Sequence, residues 1–192
     1  MKKIARGAEA TVFTTKLFGR TVIVKRREAK KYRINKLDSQ LRTSRTKIEA
    51  RALLNAAQAG VAVPDLFYVD DFSIYQQQLA GKLLRDTNAG PAVYSKIGKI
   101  LAKLHLAGIT HGDFTPANII LEKDGPKIFD FGLAVFSKDL EEQAVDVLLM
   151  QKSIGKRFKP FFEGYKTNPN WKSVLGRVEQ IKQRGRYQLR AG

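Results

Sequence analysis

The sequence contains no cysteine, two histidines (His105 and His111) and a single tryptophan among 192 residues. Without cysteine there is no disulfide framework, no thiolate zinc site and no cysteine nucleophile. Two histidines are too few for most histidine-rich metal sites. Long apolar runs are missing as well. No stretch approaches the roughly 20 apolar residues that a membrane span needs. The opening Met1-Lys2-Lys3-Ile4-Ala5-Arg6-Gly7 has no apolar run behind it, which argues against a secretory signal. The expected setting is the cytoplasm, with no membrane partner. There is no internal repeat, and low complexity is confined to Gln76-Gln77-Gln78.

What is present is a basic, foldable chain. Hydrophobic residues make up 43%, enough for one ordinary domain or two small lobes sharing a core. Lys and Arg number 35 against 18 Asp and Glu, a net charge of +17. The excess is uneven. Residues 16–51 carry 13 basic and 3 acidic side chains, and residues 152–190 carry 11 and 2, whereas residues 52–150 carry 8 and 12. Two basic segments therefore flank an acidic centre. Such segments suit a polyanion, RNA or an acidic protein face. Aromatics are sparse within them, so stacking of single strands is not the expected mode.

Periodicity organises the chain into two parts. Residues 9–14 and 20–25 are rich in β-branched residues around Gly19-Arg20 and read as a hairpin. Residues 44–59 place Ile48, Ala52, Leu53 and Ala56 at helical spacing, with Gly60 as a stop. Strands follow at 66–69 and 72–79. A helix over 92–107 puts Val93, Ile97, Ile100, Leu101 and Leu104 on one face, ending at Gly108. Two short strands, 118–122 and 126–131, surround Asp124-Gly125, a strong hairpin-turn pair. Helices are expected over 139–154 and 171–183. The resulting class is α+β. A β-rich lobe with one main helix spans 1–80, and a reduced helical lobe with a basic tail spans 81–192.

The acidic centre holds the chemistry. His111-Gly112-Asp113-Phe114-Thr115-Pro116-Ala117-Asn118 follows the 92–107 helix, and Asp130-Phe131-Gly132 comes twelve residues beyond Asn118. Amide and carboxylate oxygens such as those of Asn118 and Asp130 are hard ligands suited to Mg²⁺ bridging phosphates. A further carboxylate, Asp113, can accept a proton from an attacking hydroxyl. Phosphates also need cations. Lys25 ends the run Val22-Ile23-Val24-Lys25, and Glu49 in the following helix is the natural acid to hold it. Gly7-Ala8-Glu9-Ala10-Thr11-Val12 lies where a phosphate-covering loop belongs, although it contains one glycine only.

The ordered set Val-Ile-Val-Lys25, Glu49, His111-x-Asp113-x4-Asn118 and Asp130-Phe131-Gly132 resembles the protein kinase superfamily signature. Finer features narrow the resemblance. Gly7-Ala8-Glu9-Ala10 stands in place of the usual glycine loop, and His111-Gly112-Asp113 in place of His-Arg-Asp. A distinctive run contains Lys31-Tyr32-Arg33, Leu37-Asp38-x2-Leu41 and Arg45-Thr46-x2-Glu49-Ala50-Arg51. With the basic Arg184-Gly185-Arg186 tail, the whole chain resembles the small atypical kinase subunit of the KEOPS complex, in its stand-alone archaeal form.

The resemblance implies a two-lobed protein-kinase-like fold and the use of ATP and Mg²⁺. Lys25 would hold the α/β-phosphates, Glu49 would orient Lys25, and Asp113 would be the catalytic base. Asn118 and Asp130 would hold the metal. Gly7, Ala8, Glu9 and Ala10 would cover the phosphates. Gln77, Gln78 and Leu79 fall at the adenine-contacting hinge, and Gln76 at the position gating the pocket behind it. Ile4, Val12, Ile23 and residues 118–121 would line the slot, and Asp146 would brace the catalytic loop.

Departures from ordinary kinases carry their own expectations. Gly112 replaces the arginine that receives an activation-loop phosphate, no Ala-Pro-Glu follows Gly132, and Thr115 stands where a lysine is usual. Regulation by loop phosphorylation is therefore expected to be absent, so phosphomimetics at Ser137 and Thr115 should not activate. The residues after Gly132 leave little room for a peptide-binding lobe. The resemblance implies an autophosphorylating Ser/Thr kinase that acts within the complex mainly as an ATPase, in tRNA threonylcarbamoyladenosine formation. The implied partners are the tRNA-modifying transferase subunit, other subunits, and tRNA on basic surfaces including Arg184, Arg186 and Arg190. The alternatives are a small-molecule or sugar kinase of the His-Gly-Asp type, which generally carries a larger acceptor lobe, a RIO-type kinase, and a catalytically silent scaffold.

Overall fold

The computed structural model describes residues 1–7 and 9–188, with side chains as far as residue 184. The fold opens with β1 (Lys2–Arg6), β2 (Ala10–Leu17) and β3 (Arg20–Arg27), followed by α1 (Asn35–Gln58), β4 (Leu66–Val69) and β5 (Ser73–Gln77). These strands form one antiparallel sheet in the order β1-β2-β3-β5-β4. After β6 (Lys82–Leu83) come α2 (Pro91–Leu106), β7 (Ile109–Thr110), β8 (Ile119–Glu122), β9 (Gly125–Ile128) and β10 (Val135–Phe136). The chain then runs through α3 (Leu140–Ile154), α4 (Phe158–Tyr165) and α5 (Trp171–Gln188). A β-rich first lobe with one long helix thus precedes a helical second lobe, with β6, β8 and β9 as a small second sheet. No helix among the described residues is long and apolar enough to cross a membrane.

The helix α2 has a clear apolar face and lies in the middle of the second lobe, with Ile97, Leu101 and Leu104 fully buried. Gly108 follows it at φ +71°, which ends the helix as expected. The helix α4, absent from the sequence reading, packs directly on α2. At Gly98 a Cβ would lie 1.9 Å from the Phe161 carbonyl oxygen, and at Gly164 one would lie 2.0 Å from that of Ser95. Two glycines thus bring the helix backbones together, and this close approach does not show as hydrophobic periodicity.

Three expectations need correction. The first helix begins at Asn35, not 44. Its early turns bury Asp38 and Thr46 instead of an apolar stripe, so periodicity misses them. Asp38 accepts from Arg42 Nε at 2.7 Å and from the Lys30 N–H at 3.2 Å, and Arg33 lies 3.6 Å away. Ile48 points outward at 41% exposure, and the buried face is Glu49, Ala52, Leu53 and Ala56. The second hairpin turns at Lys123-Asp124, with Glu122 paired to Gly125. Gly125, at φ +138°, already belongs to β9.

Candidate active site

The register of the first sheet sets the ceiling of a cleft. Val12 pairs with Lys25, and Ile23 with Gln76, so alternate residues of three strands share the face turned towards α1 and the second lobe. A bulge between Lys3 and Ala5 adds Ile4 to this face. The result is a cavity of about 310 Å³ lined by Ile4, Val12, Ile23, Gln76, Gln77, Gln78 and Leu79 from the first lobe. Ile120 and Phe129 close it from below, and Lys25 and Asp130 form its charged end. Pro64 and Phe129, which also line it, were not anticipated. A second cavity of about 420 Å³ continues past Lys25 and Asp130 and is bounded by Gly7, Glu9, Ala10, Arg27 and Asp113. Ala8 lies outside the described residues.

An ionic chain separates the two cavities. Lys25 Nζ donates to Glu49 Oε1 at 2.6 Å and to Asp130 Oδ1 at 2.5 Å. The other oxygen of Glu49 accepts from Arg27 at 2.6 Å. Arg27 also reaches Glu9 at 3.3 Å, and Arg45 closes on the same Glu9 oxygen. Glu49 therefore bridges two cations. Arg27, only 4% exposed, is the charged site residue that sequence reasoning missed. Its one signal was the Lys-x-Arg spacing of Lys25 and Arg27, which puts both on one strand face. Glu9, expected within the stretch that covers the phosphates, lines the second cavity, and its side chain ties the β1–β2 turn to α1 through Arg45.

Burial by itself would push Lys25 down, but the Glu49 and Asp130 carboxylates overcome it and hold Lys25 above the usual lysine range. Burial would likewise push Asp130 up. The Lys25 ammonium and the Gly132 N–H reverse that, leaving Asp130 below the usual carboxylate range. A depressed Asp130 contributes stability above its unfolded value, near pH 4, that is lost as pH falls through its folded value. A raised Lys25 contributes below about pH 10.4 and loses this as pH rises further. The pair should stay ionised between about pH 5 and 9. Chemical denaturation of wild type and Asp130→Asn across pH should accordingly give a constant difference in that window, shrinking only below about pH 4.

The loop carrying Asp113 hangs from Asp146. That carboxylate accepts the His111 N–H at 2.7 Å, the Gly112 N–H at 2.9 Å and His105 Nε2–H at 3.2 Å. Tyr165 O–H donates to His105 Nδ1 at 2.7 Å, and Asn168 donates to Tyr165 at 3.1 Å. The whole chain is buried, and burial raises the Tyr165 phenol well above its ordinary range. His111 accepts the Asp113 N–H at Nδ1 and donates Nε2–H to Phe129 O, which assigns its tautomer. Asn118 Nδ2 donates to Asp113 Oδ2 at 2.8 Å and to Asp113 O at 2.9 Å. The Phe129 N–H donates to Asn118 O at 3.1 Å, so Asn118 is fixed beside the Phe129-Asp130 step. Asp130 itself sits at φ +64°, a left-handed conformation uncommon outside glycine.

Gly112 is dictated by geometry. Its φ is +79°, and a Cβ would lie 2.3 Å from the Leu133 carbonyl oxygen. Gly112→Arg, which would restore the usual kinase triplet, should therefore destabilise the fold by roughly 1–3 kcal/mol or more and lower Tm in a thermal melt. An unchanged Tm would contradict this placement.

The family model of the RIO domain matches residues 9–163. The chain belongs to the RIO-domain family. Within it, the chain is 37% identical over 192 residues to a probable serine/threonine-protein kinase BUD32 homolog from Archaeoglobus fulgidus, covering 96% of both chains. It is 33% identical to the KEOPS complex subunit Bud32 of Pyrococcus abyssi, covering 98% of that protein. A probable bifunctional tRNA threonylcarbamoyladenosine biosynthesis protein from Methanothermobacter thermautotrophicus is 37% identical, and there the chain spans 36% of the relative's length. Among solved structures, the Rio2 kinase ADP/Mg²⁺-phosphoaspartate complex from Chaetomium thermophilum superposes with a TM-score of 0.66 at 15% identity, covering 98% of this chain and 72% of that one. WaaP in complex with acyl carrier protein superposes with a TM-score of 0.68 at 15% identity, covering 97% and 88%. These likenesses show the protein-kinase-like fold.

Membership of the RIO-domain family corrects the treatment of RIO-type kinases as a separate alternative. Within that family the chain is similar to Bud32 proteins along its whole length, and the run from Lys31 to Arg51 lies inside the matched residues. In this RIO domain the run has a structural role. Arg33 and Arg42 clamp Asp38 at the start of α1, and Arg45 takes Glu9.

Proposed function

We propose that the chain is an atypical Mg²⁺- and ATP-dependent phosphotransferase, a Ser/Thr kinase and ATPase that serves as a KEOPS subunit in tRNA threonylcarbamoyladenosine modification in the cytoplasm. The observation that carries this reading is the junction of the two cavities. A largely apolar slot of about 310 Å³ ends at Lys25 and Asp130, and Asp113 borders the space beyond. In this reading Lys25 binds the α/β-phosphates and Glu49, held by Arg27, orients Lys25. Asp113 accepts the proton of the attacking hydroxyl, or of water, as the new P–O bond forms and the bond to the leaving ADP breaks.

The donor set fits a magnesium ion. Among the described residues no group of three or more His, Asp or Glu could hold a metal alone. That suits an ion bound by one or two protein oxygens together with phosphate oxygens. Asp130 and the side-chain oxygen of Asn118 would supply the protein oxygens, because the Asn118 amide nitrogen is spent on Asp113. Bound there, the ion would neutralise charge on the transferring phosphoryl group.

The partners proposed are the tRNA-modifying transferase subunit, other KEOPS subunits, and tRNA. Arg184, one of the tail cations, already pairs with Glu141 at 2.8 Å; the Arg186 side chain and Arg190 lie outside the described residues. The test follows the γ-phosphate of labelled ATP, with the chain alone and with the transferase subunit and tRNA. Free phosphate rising with both partners supports the ATPase, and label on Ser or Thr supports the kinase. No transfer in any mixture would overturn the reading and leave a scaffold.

A further inference from the structure

The phosphate end of the cleft holds a cation besides Lys25. Three basic residues border the second cavity, Arg6, Lys25 and Arg27. Arg6 is exposed at the end of β1, and Lys25 is already assigned to the α/β-phosphates. Arg27 is buried two residues along from Lys25, on the same strand face. It pairs across the sheet with Ala10, whose small side chain leaves the guanidinium room. A Cβ placed on Gly132 would stand 3.1 Å from Asp130 Oδ1, 3.2 Å from Lys25 Nζ and 3.6 Å from Arg27 Nη2. Gly132 thus leaves open the point at which both cations and the Asp130 carboxylate converge.

Arg27 also has donors to spare. A guanidinium carries five N–H donors. Among the described residues, Arg27 spends one Nη2–H on Glu49 at 2.6 Å and one Nη1–H on Glu9 at 3.3 Å. The Glu9 contact is the longer of the two, and Glu9 has Arg45 as its other partner. The hydrogen bond from Arg45 is the largest cause of a Glu9 carboxyl held below the usual range. Arg27 can therefore turn donors into the cavity without stranding Glu9, while Nη2 keeps Glu49. A planar fork anchored at one end suits the oxygens of a phosphoryl group. The reaction needs such a group, because charge spreads over the oxygens of the transferring phosphoryl. Residues 113–118, which carry the proposed base, contain no basic side chain.

We propose that Arg27 is a catalytic residue that donates to a non-bridging oxygen of the γ-phosphoryl group, besides holding Glu49. The proposal rests on the phosphotransferase reading above. As the bond from phosphorus to the leaving ADP oxygen breaks and the bond to the acceptor oxygen forms, Asp113 takes the acceptor proton. Arg27 keeps its own protons and offsets the charge on the phosphoryl oxygens. The test is calorimetric titration of the full chain with ADP and with the imido analogue of ATP, each with Mg²⁺. Glu49→Gln is compared with Glu49→Gln plus Arg27→Met, so that no buried carboxylate is stranded in either protein. Removing Arg27 in this background should weaken the ATP analogue roughly 10- to 100-fold, the value of a charge-assisted hydrogen bond, and leave ADP binding unchanged. Equal weakening of both nucleotides would overturn the proposal, because Arg27 would then act only through the Lys25 end of the site. An unchanged analogue affinity would overturn it too, as would a loss specific to the analogue produced by Arg6→Ala and not by Arg27→Met. If the wild-type chain binds neither nucleotide, the phosphotransferase reading itself fails. If it binds both and Arg27 makes no distinction between them, this proposal alone fails.

Discussion

Asp130→Ala should lower phosphate release from ATP by roughly 100- to 1,000-fold or more, the usual cost of removing a preorganised electrostatic group from a transition state. The fold should survive the change, because Asp130 is partly exposed and Lys25 keeps Glu49 at 2.6 Å. Nucleotide binding without metal should be equal to wild type or tighter, since Asp130 no longer competes with phosphate for the Lys25 ammonium. Steady-state phosphate release and a thermal melt on the same preparation check both halves. A variant that melts normally and still turns over within tenfold of wild type would remove Asp130 from the chemistry.

Arg27→Met has the second largest expected effect, and it separates structure from positioning. Arg27 and Glu49 are both buried, and breaking one side of a buried pair leaves an uncompensated charge. Such breaks typically cost roughly 3–5 kcal/mol. Lys25 still holds the other Glu49 oxygen, so the loss should fall at the lower end. Adding Glu49→Gln should restore much of the stability, because the stranded carboxylate is gone. It should not restore turnover, because a neutral amide oxygen holds the Lys25 ammonium less firmly than the Glu49 carboxylate does. Denaturant melts of the two singles and the double, with phosphate release for each, give the cycle. Recovery of both stability and turnover in the double variant would show that Arg27 serves stability alone.

Legibility followed the physics of each element. The helix α2 and the β2–β3 hairpin announce themselves through apolar spacing and β-branched runs, and both stand where they were expected. The start of α1 does not, because its first turns are held by Asp38 with Arg33, Arg42 and the Lys30 N–H instead of by apolar burial. The helix α4 is short and docks through Gly98 and Gly164, whose function is to be small. In the cleft, Lys25, Glu49, Asp113, Asn118 and Asp130 were singled out by type and spacing, and the structure brings them to one junction. Arg27 escaped because its Lys-x-Arg spacing is commonplace in a basic segment until Glu49 is seen to have two oxygens to fill.

The central claim is that one junction joins an apolar base slot to a metal-assisted phosphate site. It is tested most directly by calorimetric titration of a non-hydrolysable ATP analogue into wild type and Asp130→Asn, each with and without Mg²⁺. Magnesium should tighten binding to wild type and do little for Asp130→Asn, while the metal-free affinity of the variant should equal or exceed that of wild type. No binding to wild type, or an equal magnesium response in both proteins, would contradict the account.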